Sequence, residues 1–410
     1  MPGKEYIAEL GDWQGFAVGT TGRLDSDASD AVSKVWIELF PDRSRPVSCS
    51  GCGGVVESVH DWTQRWVRDL PAWGAETSLL VHFRRMKCAR CGTAMEEIPW
   101  LSPYARVTKR LAQSVARLCR EVPIRHVAEH FGLSWDRVKR IHKAYLKEEL
   151  GEPELSGITE IGMDEFAIQK GHRYATVIIE PRTRRVLWVG RGRGREDVRP
   201  FFEKLGKQAC EQLQAAVMDM WEPYEQEVRM HCPNAKIVYD LFHIKSKYGR
   251  EVVDRVRVDE ANRLKRDRPA RQVVKGAKWI LLRNETNLRP NDRIRLRELL
   301  AANHRLATVH VLKEDLAHLW DYKYEGAARR FWKAWYDRAI RSRIEPLKRF
   351  AKLLKERLPG ILAHCKHALN TSVIEGVNNK IKVIKRMAYG FRDDEYFFLR
   401  IREAFPGNCG

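Results

Sequence analysis

The sequence predicts a multidomain α/β protein in which a zinc-ribbon-like module and a helix-turn-helix precede a mixed sheet interrupted by an all-helical insertion. Three observations carry this prediction. Two Cys-x-x-Cys pairs lie in the first hundred residues. Apolar residues then recur at helical steps, as at Val107, Leu111, Val115 and Leu118. Finally, apolar runs follow in the order βββαβαβ, after which residues 246–362 carry no strand signal.

A chain of 410 residues is long enough for two to four compact units. Hydrophobic residues make up 44% and charged residues 31%, a globular composition. No apolar run approaches the roughly 20 residues that span a bilayer, and the start MPGKEYIAELGDWQG lacks the features of a secretory signal. The expectation is a cytoplasmic protein with no membrane segment. Lys and Arg outnumber Asp and Glu by 74 to 54, a formal charge of +20, and such an excess attracts polyanions through counterion release. Double-stranded DNA is the expected partner, although charge says nothing of chemistry.

Residues 1–101 form the first expected module. Cys49 and Cys52 (CSGCGG) and Cys88 and Cys91 (CARCGT) make two knuckles, and four thiolates from two knuckles suit the tetrahedron that Zn²⁺ prefers. A redox pair is the alternative, but paired knuckles point to structural zinc. Each knuckle has glycine after its second ligand, where the chain must fold back. His60 and His82 are left out of the ligand set. Cys119, Cys210, Cys232, Cys365 and Cys409 receive no role, since lone thiols in reducing surroundings mostly fill space.

Residues 102–152 are assigned to a helix-turn-helix. In VPIRHVAEHFGLSWDRVKRI, Ala128 permits close approach of two helices, Gly132 sits in the turn, and Val138 and Ile141 return to the core. The second helix, from about Ser134 to Lys147, would offer Ser134, Arg137, Lys139, Arg140 and Lys143 to phosphates and base edges. A plain helical hairpin is the competing reading. The Pro-, Gly- and Ser-bearing segment Gly151 to Gly157 reads as a linker.

Residues 153–245 carry the sheet. Strands are expected at Ile158 to Ile168, Tyr174 to Ile179, Val186 to Val189, Leu213 to Met218 and Ala235 to Tyr239, with helices from Glu196 and from Glu222 to His231. The intervening GRGRGR, Gly190 to Arg195, reads as a flexible turn. Residues 246–362 are the helical insertion, whose Phe331, Trp332, Trp335 and Tyr336 have the spacing of core packing. Residues 363–410 complete the sheet domain with a helix in NTSVIEGVNNKIKVIKRM, capped by Thr371 or Ser372, that carries Glu375 and, one turn on, Asn379 and Lys382.

Asp164, Asp219 and Asp240 each end an apolar strand, and a phosphoryl-transfer site needs acids converging from separate elements on Mg²⁺. The residues alone do not choose between Asp219 and Asp240 as second ligand, nor do they settle the role of Glu165, which faces away from Asp164.

The blocks GMDEFAIQKGHRYATVI, VMDMWEPY, IVYDLFHI and NTSVIEGVNNKIKVIKRMAYGFRD resemble the DDE transposases of the ISL-three family of bacterial insertion sequences. The resemblance covers the whole chain. It implies a ribonuclease-H-like catalytic domain in which Asp164, Asp219 and Glu375 hold two Mg²⁺ ions, Mn²⁺ being an alternative. It marks Asp240 and His243, in YDLFH, as supporting residues, and Lys382, Lys385 and Arg386 are taken with them as DNA contacts. The implied activity is binding of inverted repeats, cleavage at the ends and strand transfer by the 3′-hydroxyl, in a homodimer or larger assembly. A zinc and helix-turn-helix regulator without catalysis, or a stand-alone ribonuclease-H-like nuclease, are the rival readings.

Overall fold

The computed structural model describes residues 4–24, 33–56, 58–169, 171, 173–283, 287–367 and 372–407. The chain divides into two compact units, residues 1–151 with 387–389 and residues 152–386 with 390–410.

The first unit opens with helix α1 (Lys4–Gly11) and strands β1 (Phe16–Leu24), β2 (Lys34–Pro41), β3 (Val59–Arg68), β4 (Glu76–Cys88) and β5 (Gly92–Met95). They form one sheet of order β1-β2-β4-β3, with β5 beside β4. Strand β4 shows why: Leu79, Val81 and Phe83 are buried while Ser78, Leu80 and His82 are less so, the period of a half-buried strand. The strand is 13 residues long and ends on Cys88. Helices α2 (Lys109–Glu121), α3 (Ile124–Phe131) and α4 (Trp135–Leu150) follow. Asp69, fully buried at the end of β3, ties this unit together. It accepts hydrogen bonds from Trp13 Nε1 at 3.0 Å, Thr108 Oγ1 at 2.6 Å and Arg110 Nε at 2.7 Å. A buried carboxylate is tolerated because it is paired and its lone pairs are used.

The second unit contains β6 (Glu160–Gln169), β7 (Arg173–Glu180), β8 (Arg185–Arg191), α5 (Arg195–Leu205), α6 (Lys207–Gln212), β9 (Ala215–Met218), α7 (Glu222–His231), β10 (Lys236–Tyr239) and α8 (Leu241–Tyr248). The βββαβαβ reading therefore holds, with α6 as a short addition. Sheet order is β10-β9-β6-β7-β8. The three strands β6, β7 and β8 are antiparallel, whereas β9 runs parallel to β6 and β10 parallel to β9. That is the ribonuclease-H arrangement, in which the first strand lies at the centre and the parallel strands extend one side.

A π-helical turn (Gly249–Val253) continues α8 into an all-helical region: α9 (Asp254–Arg263), α10 (Arg268–Gly276), α11 (Lys278–Leu282), α12 (Pro290–Ala302), α13 (His304–Ala317), α14 (Glu325–Arg341), α15 (Glu345–Glu356) and α16 (Leu358–Leu362). Trp332 and Trp335 are buried in its core, their rings stacked at 5.3 Å, and Trp335 Nε1 donates to the Leu312 carbonyl. Their spacing signified packing. The chain then returns to the sheet through α17 (Ser372–Met387) and α18 (Asp394–Ala404). One face of the sheet packs Ile161, Met163, Ala216 and Met218 against residues of α5 and α7 such as Phe201 and Tyr224. The other packs Phe166, Val177 and Val217 against Ile374, Val377 and Ile381 of α17 and Phe397 of α18. Thr371, one of the two proposed caps, and Cys409 lie outside the described residues, and so does the side chain of Ser372. No helix is long and apolar enough to cross a membrane.

Candidate active site and metal centre

The cysteine ligands Cys49, Cys52, Cys88 and Cys91 come together with all four sulfur atoms within 4.8 Å of one another. Local geometry forces this. Gly53 and Gly92, each just after a second cysteine, have φ of +69° and +72°, a left-handed conformation that side chains resist. The Gly53 amide closes the first knuckle on the Cys49 carbonyl at 2.8 Å, and Cys88 pairs with Gly92 across β4 and β5. Amides of Cys91 and Arg90 point at the Cys88 sulfur and bring its thiol down to about 7, whereas hydrogen bonding to Cys52, burial and the crowded sulfurs push Cys91 up to about 12. A divalent cation removes that conflict by accepting all four thiolates, so the set fits a tetrahedral Zn²⁺. His82 instead meets Glu38 at 2.9 Å and stacks on Phe40.

In the helix-turn-helix, Gly132 takes φ +59° between α3 and α4, and Val127, Ala128, Phe131 and Val138 form the buried seam. Ile141 packs against it from a half-buried position. Ser134 caps α4, its Oγ accepting from the Arg137 amide at 3.3 Å. Arg140 and Ser134 are exposed on α4, and Arg137, Lys139 and Lys143 are half-buried; the Lys139 ammonium lies 5.8 Å from the Trp135 ring centre.

Asp219 and Asp240 follow the C-terminal ends of β9 and β10, as expected, but Asp164 does not end a strand: β6 continues past it to Gln169 because it stays paired with β7. Alternation puts Asp164 on the α17 face of β6; Val217 of β9 and Val238 of β10 face the same way, and Asp219 and Asp240 lie two residues after them, just beyond the strands. Asp240 caps α8 by accepting from the Phe242 amide at 2.8 Å. One turn into that helix, His243 stands among all three aspartates, with ring nitrogens 3.9 Å from Asp164, 4.0 Å from Asp219 and 3.8 Å from Asp240. Burial, reinforced by the nearby charge of Glu165 and opposed by His243, pushes Asp164 up to about 7 and Asp219 up to about 6.

Glu165 belongs to this electrostatic group, and Arg193 supplies its counter-ion at 3.1 Å. The Arg193 guanidinium is clamped between the rings of Tyr174 and Trp221, at 4.1 and 4.6 Å, while Trp221 Nε1 donates to its carbonyl at 2.8 Å. Gly192 before it takes φ +82° in contact with Asp197. The segment Gly190 to Arg195, expected as a flexible turn, is therefore pinned at its centre, because long-range aromatic partners fix it.

Helix α17 lies along β6. Ile374 packs over Gly162, Asn378 Nδ2 donates to Asp164 Oδ2 at 2.5 Å, and Lys385 Nζ donates to the Ala167 carbonyl at 2.8 Å. Glu375 sits one turn before Asn378 and is exposed. Among the described residues the four cysteines alone form a close grouping of metal-ligand atoms; Asp164, Asp219, Asp240 and Glu375 form none. Lys382 Nζ donates to Asn379 Oδ1 at 3.2 Å, and Arg386 is exposed. Sequence reasoning named Asn379 and missed Asn378; the signal was its place in the apolar stripe 374, 377, 378, 381. Three buried oxygens lack hydrogen-bond partners here: Asp219 Oδ1, Glu165 Oε2 and Asn378 Oδ1. Crowded acids with partnerless hard oxygens are a donor set that fits a divalent cation such as Mg²⁺.

A ribonuclease-H sheet with acids on its central strand and just after the two parallel strands beside it, in a chain that also carries a four-cysteine knuckle and a helix-turn-helix, defines a DNA transposase. Comparison with known proteins gives the family. A transposase family model of the ISL3 group matches residues 161–401, a helix-turn-helix domain of transposase family ISL3 matches residues 96–146, and a zinc finger of the transposases of IS204, IS1001, IS1096 and IS1165 matches residues 45–91. The transposase for insertion sequence element IS1001 of Bordetella parapertussis is 48% identical over 410 residues, covering 100% of both chains. That for element IS1557 of Mycobacterium tuberculosis is 26% identical over 399 residues, covering 90% of this chain and 88% of the relative. The chain belongs to the ISL3 family of insertion-sequence transposases.

Proposed function

We propose that this transposase binds the inverted repeats of its element, cleaves a phosphodiester at each end and joins the liberated 3′-hydroxyl to target DNA, with Asp164, Asp219 and Glu375 as catalytic acids. The observation that carries the reading is the convergence of buried Asp164, midway along β6, and half-buried Asp219, just after β9, on His243, among oxygens without partners. These acids would hold two Mg²⁺ ions, or Mn²⁺, which supply Lewis acidity to the attacking and leaving oxygens. Asp240 fixes the start of α8, and so aims His243 at the acids. His243 in turn stands 3.9 Å from Asp164 and 4.0 Å from Asp219. Zn²⁺ on Cys49, Cys52, Cys88 and Cys91 has a structural part.

Ser134, Arg137, Lys139, Arg140 and Lys143 would face the DNA from α4, and Lys382, Lys385 and Arg386 from α17. The working division is a zinc module at 1–101, the helix-turn-helix at 102–152, the catalytic domain at 153–245 and 363–410, and the insertion at 246–362. Two ends must be paired, which calls for a homodimer or larger assembly acting in the cytoplasm.

The test incubates the protein with labelled inverted-repeat DNA, target plasmid and Mg²⁺, beside Asp164→Ala, Asp219→Ala and Glu375→Ala. Strand transfer should fall by roughly 10³-fold or more in each variant while inverted-repeat binding persists. Undiminished transfer overturns the assignment. Cleavage without joining would indicate a nuclease, and binding without either would indicate a regulator.

A further inference from the structure

We infer that Asn378 is a positioning residue of the active site: its carboxamide holds Asp164 in the orientation in which that acid takes a divalent cation. The inference rests on the reading of Asp164 as a ligand.

The two oxygens of Asp164 have different partners. Oδ1 accepts from the Glu165 amide at 2.8 Å, a contact set by the strand itself, and Oδ2 accepts from Asn378 Nδ2 at 2.5 Å. The second contact joins residues 214 positions apart, so it depends on how α17 is seated. That seating is built in. Gly162 lets α17 approach β6, because a Cβ there would lie 2.8 Å from Ile374 Cδ1. One turn after Ile374, Asn378 then meets Asp164, which is two residues after Gly162 on the same face of β6.

Packing alone does not account for asparagine at this position. Its neighbours in the stripe are Ile374, Val377 and Ile381, all buried, and Asn378 is itself only 9% exposed. A leucine would fill the same volume without burying an amide. The amide instead leaves Oδ1 buried with no hydrogen-bond partner, a cost that the contact with Asp164 must offset. A single amide that spends its N–H groups on the acid and keeps an uncommitted oxygen beside it has the form of a partner that orients a ligand. It also places Asp164 and Glu375 under one control, since α17 carries both Asn378 and Glu375.

The experiment measures Mn²⁺ binding to the full-length protein from the loss of the free-ion electron paramagnetic resonance signal, in Asn378→Leu, Asn378→Ala and Asp164→Asn. Inverted-repeat binding and the melting temperature check that each variant is folded. Both Asn378 variants should need about 10-fold or more Mn²⁺ for half-saturation. Their cleavage defect should shrink as Mg²⁺ is raised, a recovery that a merely misfolded protein would not show. Wild-type Mn²⁺ affinity in both, with Asp164→Asn impaired, overturns this inference alone. Unchanged affinity in all three overturns the reading of Asp164 as a ligand, and this inference with it.

Discussion

The cysteine cluster and the carboxylate cluster answer a cation in opposite ways. The four sulfurs lie within 4.8 Å of one another because two short knuckles, each turned by a left-handed glycine, leave them nowhere else to go. The acids come from β6, β9, β10 and α17, and His243 stands between three of them at 3.8–4.0 Å. The first arrangement is closed by local chain geometry, as structural zinc sites are. The second is held apart by side chains and keeps partnerless oxygens, as a site that must admit a substrate requires.

The contrast breaks most sharply at Cys88. Cys88→Ser should abolish zinc retention, measured as bound metal per chain, and lower the melting temperature by on the order of 10 °C, whereas omitting Mg²⁺ from the wild type should stop cleavage without unfolding it. Gly162→Ala tests whether the acid site depends on helix seating. The added Cβ meets Ile374, so a loss of about 1–3 kcal/mol is expected in denaturant titration, partly recovered when Ile374→Val makes room.

Asp164→Asn should do the reverse of an ordinary core change. The folded value near 7 lies above the unattached carboxyl's 3.8, so between those pH values the cation-free fold binds a proton that the unfolded chain has released. Stability therefore falls as pH rises through that window. In Mg²⁺-free buffer at pH 8 the variant should melt roughly 3 °C or more above the wild type, and the gap should close by pH 4. Identical melting at both pH values would mean Asp164 carries no burial penalty. The smallest effect is expected at Ser134→Ala, where loss of the cap costs about 1 kcal/mol and weakens inverted-repeat binding with little change in cleavage per bound complex.

What could be read from the sequence follows the same division. Short-range patterns were legible: the Cys-x-x-Cys spacing, the glycines behind it, the helix-turn-helix, and five strands in the order that makes a ribonuclease-H sheet. Long-range contacts were not. Arg193 looked mobile because its glycine neighbours suggest freedom, while the rings that clamp it come from Tyr174 and Trp221. Asn378 was passed over for Asn379 because adjacent amides differ only in which side of α17 meets the sheet. The choice between Asp219 and Asp240 was open for a physical reason: both end parallel strands, and both lie within 4.0 Å of His243.

The helical insertion separates the strands from α17 along the chain, and this fixes an order of events during synthesis. Asp164 leaves the ribosome 214 residues before the amide that anchors it, a delay of about 10–40 s at roughly 5–20 residues per second. Until then the acids have no helix across them. A nascent or prematurely terminated chain can carry its zinc knuckles and helix-turn-helix complete while its acid site is still unbuilt, so under the proposed function the capacity to hold DNA is made before the capacity to cut it.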